Sequence, residues 1–137
     1  MESPVAEYFP QLQGSEMAEV RYLVDDVDEA VLFYQDHLGF ELMQQFGLAM
    51  AIVELGDLAL WLAGPTASAR KAMPDGTRPE PGGWARIVIK VDDLDATVAA
   101  MRAQGVRFRN DIVNGPGGRQ VLCLDPSGNL VELFEPA

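Results

Sequence analysis

The chain closes with LCLDPSGNLVELFEPA over residues 122–137, a turn followed by an apolar strand that carries a lone carboxylate. That carboxylate, Glu132, falls where strand alternation predicts an interior face. It can bind a metal, act as a general base, or be neutralised by another charge. Partners are few. His37 is the only histidine, so neither a histidine-based catalytic triad nor a multi-histidine metal site can form within a protomer. It lies in YQDHLGF, in the last turn of a predicted helix, where a cation interacts well with the helix dipole; a surface or capping role is expected. Cys123 is the only cysteine and lies in an apolar run, which excludes an intrachain disulfide framework and a thiolate metal site and fits a reducing cytoplasm. GPGGRQ (115–120) shares glycines with phosphate loops, but it joins two strands and no helix N-terminus follows it, so it reads as a hairpin turn. Arg107, Arg109 and Arg119 cluster around that hairpin, where they can reach an anionic ligand or pair with acidic residues across strands.

The elements that must position these residues occur twice. VRYLVDDVDEAVLFYQDHLGFEL (20–42) and IVIKVDDLDATVAAMRAQGVRF (87–108) each run from an apolar strand through an Asp-rich cap and an amphipathic helix to a glycine and a new strand. Asp26 and Asp93 lie 67 residues apart, and Gly39 and Gly105 lie 66 apart, a near-constant period. Asp26 and Asp93 are helix caps by type and position, Glu29 completes a capping box, and the glycines suit the left-handed residue that ends a helix. Val27, Ala30, Val31, Tyr34 and Leu38 make one apolar stripe; Leu94, Val98 and Met101 make the other. Three strand-like runs follow each helix: FELMQQF, AMAIVEL and DLALWLA, then VRFRNDI, RQVLCLD and NLVELFE. The expected fold class is therefore α+β, with two βαβββ modules. Module one spans 17–63 and module two 84–135 of a single domain (17–137), after an N-terminal extension (1–16). A Pro- and Gly-rich linker (64–83) joins the modules and is long enough to cover a cavity.

Composition sets the outer bounds. A chain of 137 residues with 48% apolar content has the size of one domain, or of two small modules sharing a core. The net charge of −11 is concentrated in residues 1–69, which hold twelve Asp and Glu against Arg21 alone. Such a surface repels nucleic acid. The N-terminal stretch has no basic start and no continuous apolar run, and no later segment reaches membrane-spanning length, so a soluble, cytoplasmic protein with no nucleic-acid or membrane partner is expected.

The motifs VDDVDEAVLFYQDHLGF, VDDLDATVAAMRAQGV and DPSGNLVELFEP resemble those of the vicinal oxygen chelate superfamily. This is the glyoxalase, bleomycin resistance and extradiol dioxygenase group, and the resemblance covers about residues 18–135. It implies that each module curls into a half-barrel around a shared cavity, and that the chain forms a homodimer. In metal-dependent members the first strand of each module and the last strand of the second supply metal ligands. Aligned on the Val-Asp-Asp caps, those positions here are Glu19, Arg86 and Glu132, and the first-module counterpart of Glu132 is about Leu60, next to Trp61. Pleat alternation agrees: Val20, Tyr22 and Val24 form the helix-covered face, with Glu19, Arg21 and Leu23 opposite; Ile87, Ile89 and Val91 pack against the second helix, with Arg86, Val88 and Lys90 opposite.

The chain departs from the metalloenzyme pattern at these positions. Neither first-strand position is His, and Arg86 cannot offer a lone pair to a metal. No metal or other cofactor is expected. The guanidinium of Arg86 is instead expected to take the metal's place and pair with one or both carboxylates, the alternative being a register one residue off that leaves Arg86 at a solvated edge. The aromatic and sulfur side chains Phe46, Met50, Trp61, Trp84 and Phe134, with Arg119, are candidate ligand contacts; Trp61 and Trp84 stand out because they flank the linker. Two functions follow. The first is a metal-free module that binds or sequesters a small organic molecule, with the acidic surface suited to a cationic guest. The second is a lyase, isomerase or dioxygenase in which Glu132 or Glu19 binds a divalent metal or serves as the catalytic base.

Overall fold

The computed structural model describes residues 18–137, so the N-terminal extension (1–16) lies outside the described residues. The chain divides into two compact units, the first ending at Pro79 and the second beginning at Glu80. Each contains one repeat of the sequence.

In the first unit, β1 (Val20–Leu23) leads into helix α1 (Val27–Leu38), followed by β2 (Glu41–Phe46), β3 (Met50–Leu55) and β4 (Leu58–Ala63). The sheet order is β1-β4-β3-β2, with β1 parallel to β4 and the other pairs antiparallel. Helix α1 starts where expected: Asp26 Oδ1 accepts the Glu29 backbone N–H at 3.0 Å. It ends at Gly39, whose φ of 75° is the left-handed conformation that glycine adopts without a Cβ clash. The helix lays Val27, Ala30, Val31, Phe33 and Tyr34 against the sheet. Tyr34 is fully buried at the centre of an edge-on aromatic cluster with Tyr22, Phe33 and Phe40, at ring separations of 6.5, 5.1 and 5.4 Å. Each such large side chain contributes about 1.5–3 kcal/mol by leaving water.

The first sixteen residues of the predicted linker pack with this unit. A 3-10 turn (Ser68–Arg70) presents Arg70, whose guanidinium donates to the carbonyls of Val24 (2.7 Å), Ala63 (3.4 Å) and Pro79 (3.1 Å). Arg70 thus ties the segment to the C-terminal ends of β1 and β4.

The second unit repeats the plan with β5 (Ile87–Lys90), α2 (Leu94–Ala103), β6 (Arg107–Phe108), β7 (Val113–Gly115), β8 (Gly118–Leu124) and β9 (Leu130–Pro136). Its sheet runs β5-β9-β8-β6, with β7 also paired to β8. Asp93 caps α2 through the Ala96 N–H at 3.0 Å, and Leu94, Val98 and Met101 form its buried stripe. The expected strand VRFRNDI is interrupted. Pairing with β8 breaks after Arg109 and resumes at Val113, and Asn110 Oδ1 takes the Leu122 N–H at 2.9 Å in place of a backbone carbonyl. One polar side chain therefore satisfies the donor that an unbroken strand would have paired.

The DPSGN turn is held from within. Asp125 is fully buried; its Oδ1 accepts from the Ser127 and Asn129 backbone N–H groups and its Oδ2 from the Asn129 side chain, each at 2.9 Å. Asn129 Oδ1 in turn accepts the Gly82 N–H at 2.8 Å, fixing the approach to β5. The DPSGN stretch serves the turn and positions the start of β9, which carries Glu132.

Candidate functional site

Strand register assigns every candidate side chain to a face. In the second sheet, Val88 pairs with Glu132 and Glu132 with Leu122, while Arg109 follows opposite Leu122. Partners in register project to the same side. Val88, Glu132, Leu122 and Arg109 therefore form a row across the face opposite α2, flanked by Lys90 and Phe134, a second registered pair. The other face carries Ile87, Val131, Leu133, Val121 and Cys123, all buried beneath α2. Burial there pushes the Cys123 thiol up to about 12, so it is a neutral core group.

Arg86 lies one step before β5 on the open side. Its Nε and Nη2 donate to a single oxygen, Glu132 Oε1, at 3.1 and 2.9 Å, and its Nη1 donates to the Trp84 carbonyl at 3.2 Å. The Glu132 side chain is 10% exposed and that of Arg86 30%. Burying a carboxylate without a partner costs several kcal/mol, and the two charge-assisted hydrogen bonds offset that cost. Arg86 thus pairs with Glu132 while keeping part of its side chain in solvent at the edge strand. Arg86 engages only Oε1 of Glu132, so one carboxylate oxygen is fixed by the guanidinium.

The first sheet shows what the repeat has done with the same positions. The Val24 N–H bonds the Ala63 carbonyl at 2.9 Å, as the Val91 N–H bonds that of Phe134 at 2.8 Å. Ala63 is thus the counterpart of Phe134, and the residue equivalent to Glu132 is Trp61. Leu60, assigned there from sequence, is one residue off: it is fully buried on the α1 side. The error comes from counting across strands whose intervening loops differ in length, where one residue inverts the face. Trp61 is on the open face in register with Arg21, whose Cζ sits 5.1 Å from the indole centroid, and with Ile52. Trp61 Nε1 is buried without a hydrogen-bond partner among the described residues. Glu19 precedes β1 at the position that Arg86 holds before β5. Phe46 and Met50 are register partners on this same open face, so three of the apolar candidates share it.

Three remaining assignments resolve differently. Arg119 is committed to structure: it grips Asp95 at 2.8 and 2.9 Å and approaches its cross-strand partner Glu135 at 3.5 Å. Those hydrogen bonds hold the Asp95 carboxyl below the usual carboxylate range, and Glu135 Oε1 accepts the Leu94 N–H at 3.0 Å. This network ties α2 to the sheet. Arg107 donates to the Asp125 carbonyl at 3.3 Å. His37 packs beside the Phe33 ring at 5.3 Å, with Nδ1 buried and unpartnered among the described residues, so it contributes to packing more than to capping. One contact was not foreseen from sequence: Arg109 lies over Trp84, with Cζ 4.8 Å from the ring centroid. No local pattern marks it, because the two residues come from opposite edges of the sheet.

The sequence profile of the Glyoxalase/Bleomycin resistance protein/Dioxygenase superfamily matches residues 16–133. The chain belongs to that superfamily. Among superfamily relatives, it is 27% identical over 141 residues to mouse mitochondrial methylmalonyl-CoA epimerase, a match covering 96% of this chain and 79% of the epimerase. The structure of lactoylglutathione lyase from Agrobacterium tumefaciens superposes with a TM-score of 0.69 at 26% identity, covering 90% of this chain and 96% of the lyase. That of an antibiotic-binding protein from Streptomyces sp. CB03234 superposes with a TM-score of 0.62 at 28% identity, covering 88% and 98%. The superfamily thus joins enzymes and binding proteins on one fold, and the side chains at the site must discriminate between them.

The donor set at the superfamily's metal position does not fit a divalent metal. Glu132 Oε1 is occupied by two guanidinium N–H groups, and the guanidinium has no lone pair to donate. No group of three or more His, Cys, Asp and Glu suited to a metal ion occurs among the described residues.

Proposed function

We propose that this superfamily member binds a small organic ligand on the open faces of its sheets without a divalent metal, the Arg86 guanidinium standing where a metal would polarise or hold the ligand. The observation that carries this reading is the paired donation of Arg86 Nε and Nη2 to Glu132 Oε1. In this reading each unit by itself offers apolar contact surface, Phe46, Met50 and Trp61 in the first and Trp84 and Phe134 in the second. A homodimer in the cytoplasm belongs to the same proposal. The test is elemental analysis of protein purified without chelator, followed by thermal-shift screening of a chemically mixed library, since a ligand of the folded state raises apparent stability. Metal-free protein stabilised by library members is expected; stoichiometric divalent metal that is lost in Glu132→Gln overturns the proposal.

A second reading is favoured by one observation, that Arg86 engages only Oε1 of Glu132. A carboxylate with one oxygen anchored is oriented to accept a proton from an acidic C–H on the other, with Arg86 beside it to stabilise negative charge that develops on a substrate oxygen. This is lyase or isomerase chemistry. Its test is hydrogen exchange: loss of solvent-exchangeable deuterium at the carbon next to a substrate carbonyl, abolished by Glu132→Gln, supports it.

A further inference from the structure

We infer that the open face of the second sheet recognises a planar, anionic small molecule through the N–H donors of the Arg109 guanidinium, which rests on the Trp84 indole. The inference rests on the binding reading above and supplies its ligand class. With 21 acidic residues against 10 lysines and arginines, a surface guanidinium in this chain has carboxylates in excess to choose from. Arg86 and Arg102 each take one, and Arg119 takes two. Arg109 takes none: its side chain makes no salt bridge or hydrogen bond among the described residues, and its contact is the face of Trp84. A guanidinium stacked on an aromatic ring keeps its N–H donors in its own plane, free for a planar oxyanion.

The location fits a ligand. Trp84 comes three residues before β5, at one edge of the sheet, and Arg109 comes just after β6, at the other. Their contact therefore bridges the open face across the strands that carry Glu132 and Leu122. Trp84 remains 63% exposed with Arg109 over its ring, so the indole has apolar surface available beside the guanidinium for a planar partner. It is also held in place, because Arg86 Nη1 bonds its carbonyl. Val88, 51% exposed in the same row, extends the apolar surface.

Charge then decides the class. Glu132 is offset by Arg86, which leaves Arg109 and Lys90 as uncompensated cations on this face of an otherwise acidic protein. A cationic guest, which the overall charge favours, meets repulsion here; a carboxylate or comparable oxyanion meets a forked donor. The first sheet carries the same device independently. Arg21, the only Lys or Arg in positions 1–69, lies over Trp61 on the open face and has no carboxylate partner among the described residues.

The probe is 2-naphthoate, titrated against the full chain carrying Trp61→Phe so that Trp84 emission reports binding. Its neutral and cationic analogues, 2-naphthalenemethanol and 2-naphthylmethylammonium, are the comparison. Naphthoate is expected to bind about tenfold more tightly than the alcohol, with the ammonium weakest, since one charge-assisted contact is worth about a factor of ten. Arg109→Gln should bring naphthoate down to the affinity of the alcohol and leave the alcohol unchanged, with Arg109→Lys intermediate. Calorimetry on the unsubstituted chain gives the same ranking should Trp61→Phe fail to fold. Equal affinity for acid and alcohol, a preference for the ammonium, or indifference to Arg109→Gln overturns the inference. Binding of neutral or cationic compounds in preference to anions would leave the broader binding reading standing, so the two failures are distinguishable.

Discussion

Glu132 and Arg86 form a unit whose parts are unequal. Glu132 is nearly enclosed and Arg86 is about one-third exposed, so removing the arginine strands a charge while removing the glutamate frees one toward water. Arg86→Met is therefore expected to destabilise the fold by about 1–3 kcal/mol, and Glu132→Leu by less, in urea denaturation. The double variant should recover most of the loss, because an apolar pair replaces an uncompensated charge. A second residue-scale expectation concerns Cys123. Its thiol ionises near 9 when unfolded but only at about 12 in the fold, because burial penalises the thiolate. The folded state holds its proton more tightly, so this contribution to stability is intact below pH 9 and is lost as pH rises toward about 12. Cys123→Ala should flatten the alkaline limb of a stability-against-pH curve. In the native protein, modification by a thiol reagent should proceed only at the rate of opening.

At the scale of elements, the caps and the DPSGN turn divide the work differently. The Asp26 and Asp93 caps each make one local bond to an exposed helix start, and replacement by Ala should cost about 1 kcal/mol. Asp125 satisfies three donors from full burial and, through Asn129, holds Gly82. Asp125→Ala should cost about 2–4 kcal/mol, measured as a shift in the denaturation midpoint, since it leaves buried N–H groups without acceptors. The helices, their caps and the turn were legible in sequence because each depends on residues within four positions of one another. The interruption between β6 and β7 was not, because Asn110 substitutes for a strand carbonyl only once β8 lies beside it. The assignment of Leu60 as the counterpart of Glu132 missed by one for the same reason: only the pairing of β1 with β4 fixes which residue of LALWLA faces which way.

For the molecule as a whole, the proposed metal-free reading predicts that stability does not depend on a bound cation. Incubation with a chelator should leave the melting temperature unchanged, whereas a structural metal would make it fall as the ligand of the folded state is withdrawn. What the sequence determined by itself was the duplicated βαβββ plan, the superfamily resemblance, and the lack of histidines for a metal site. These follow from periodicity, caps and residue counts, which are properties of the chain alone. The tertiary structure decided which charges meet. It brought Arg86 onto Glu132 across 46 positions, took Arg119 away from the candidate site for the network on α2, and laid Arg109 on Trp84 from the far edge of the sheet. An ion pair depends on distances of a few ångströms between distant segments, and only the register of the assembled sheet sets those.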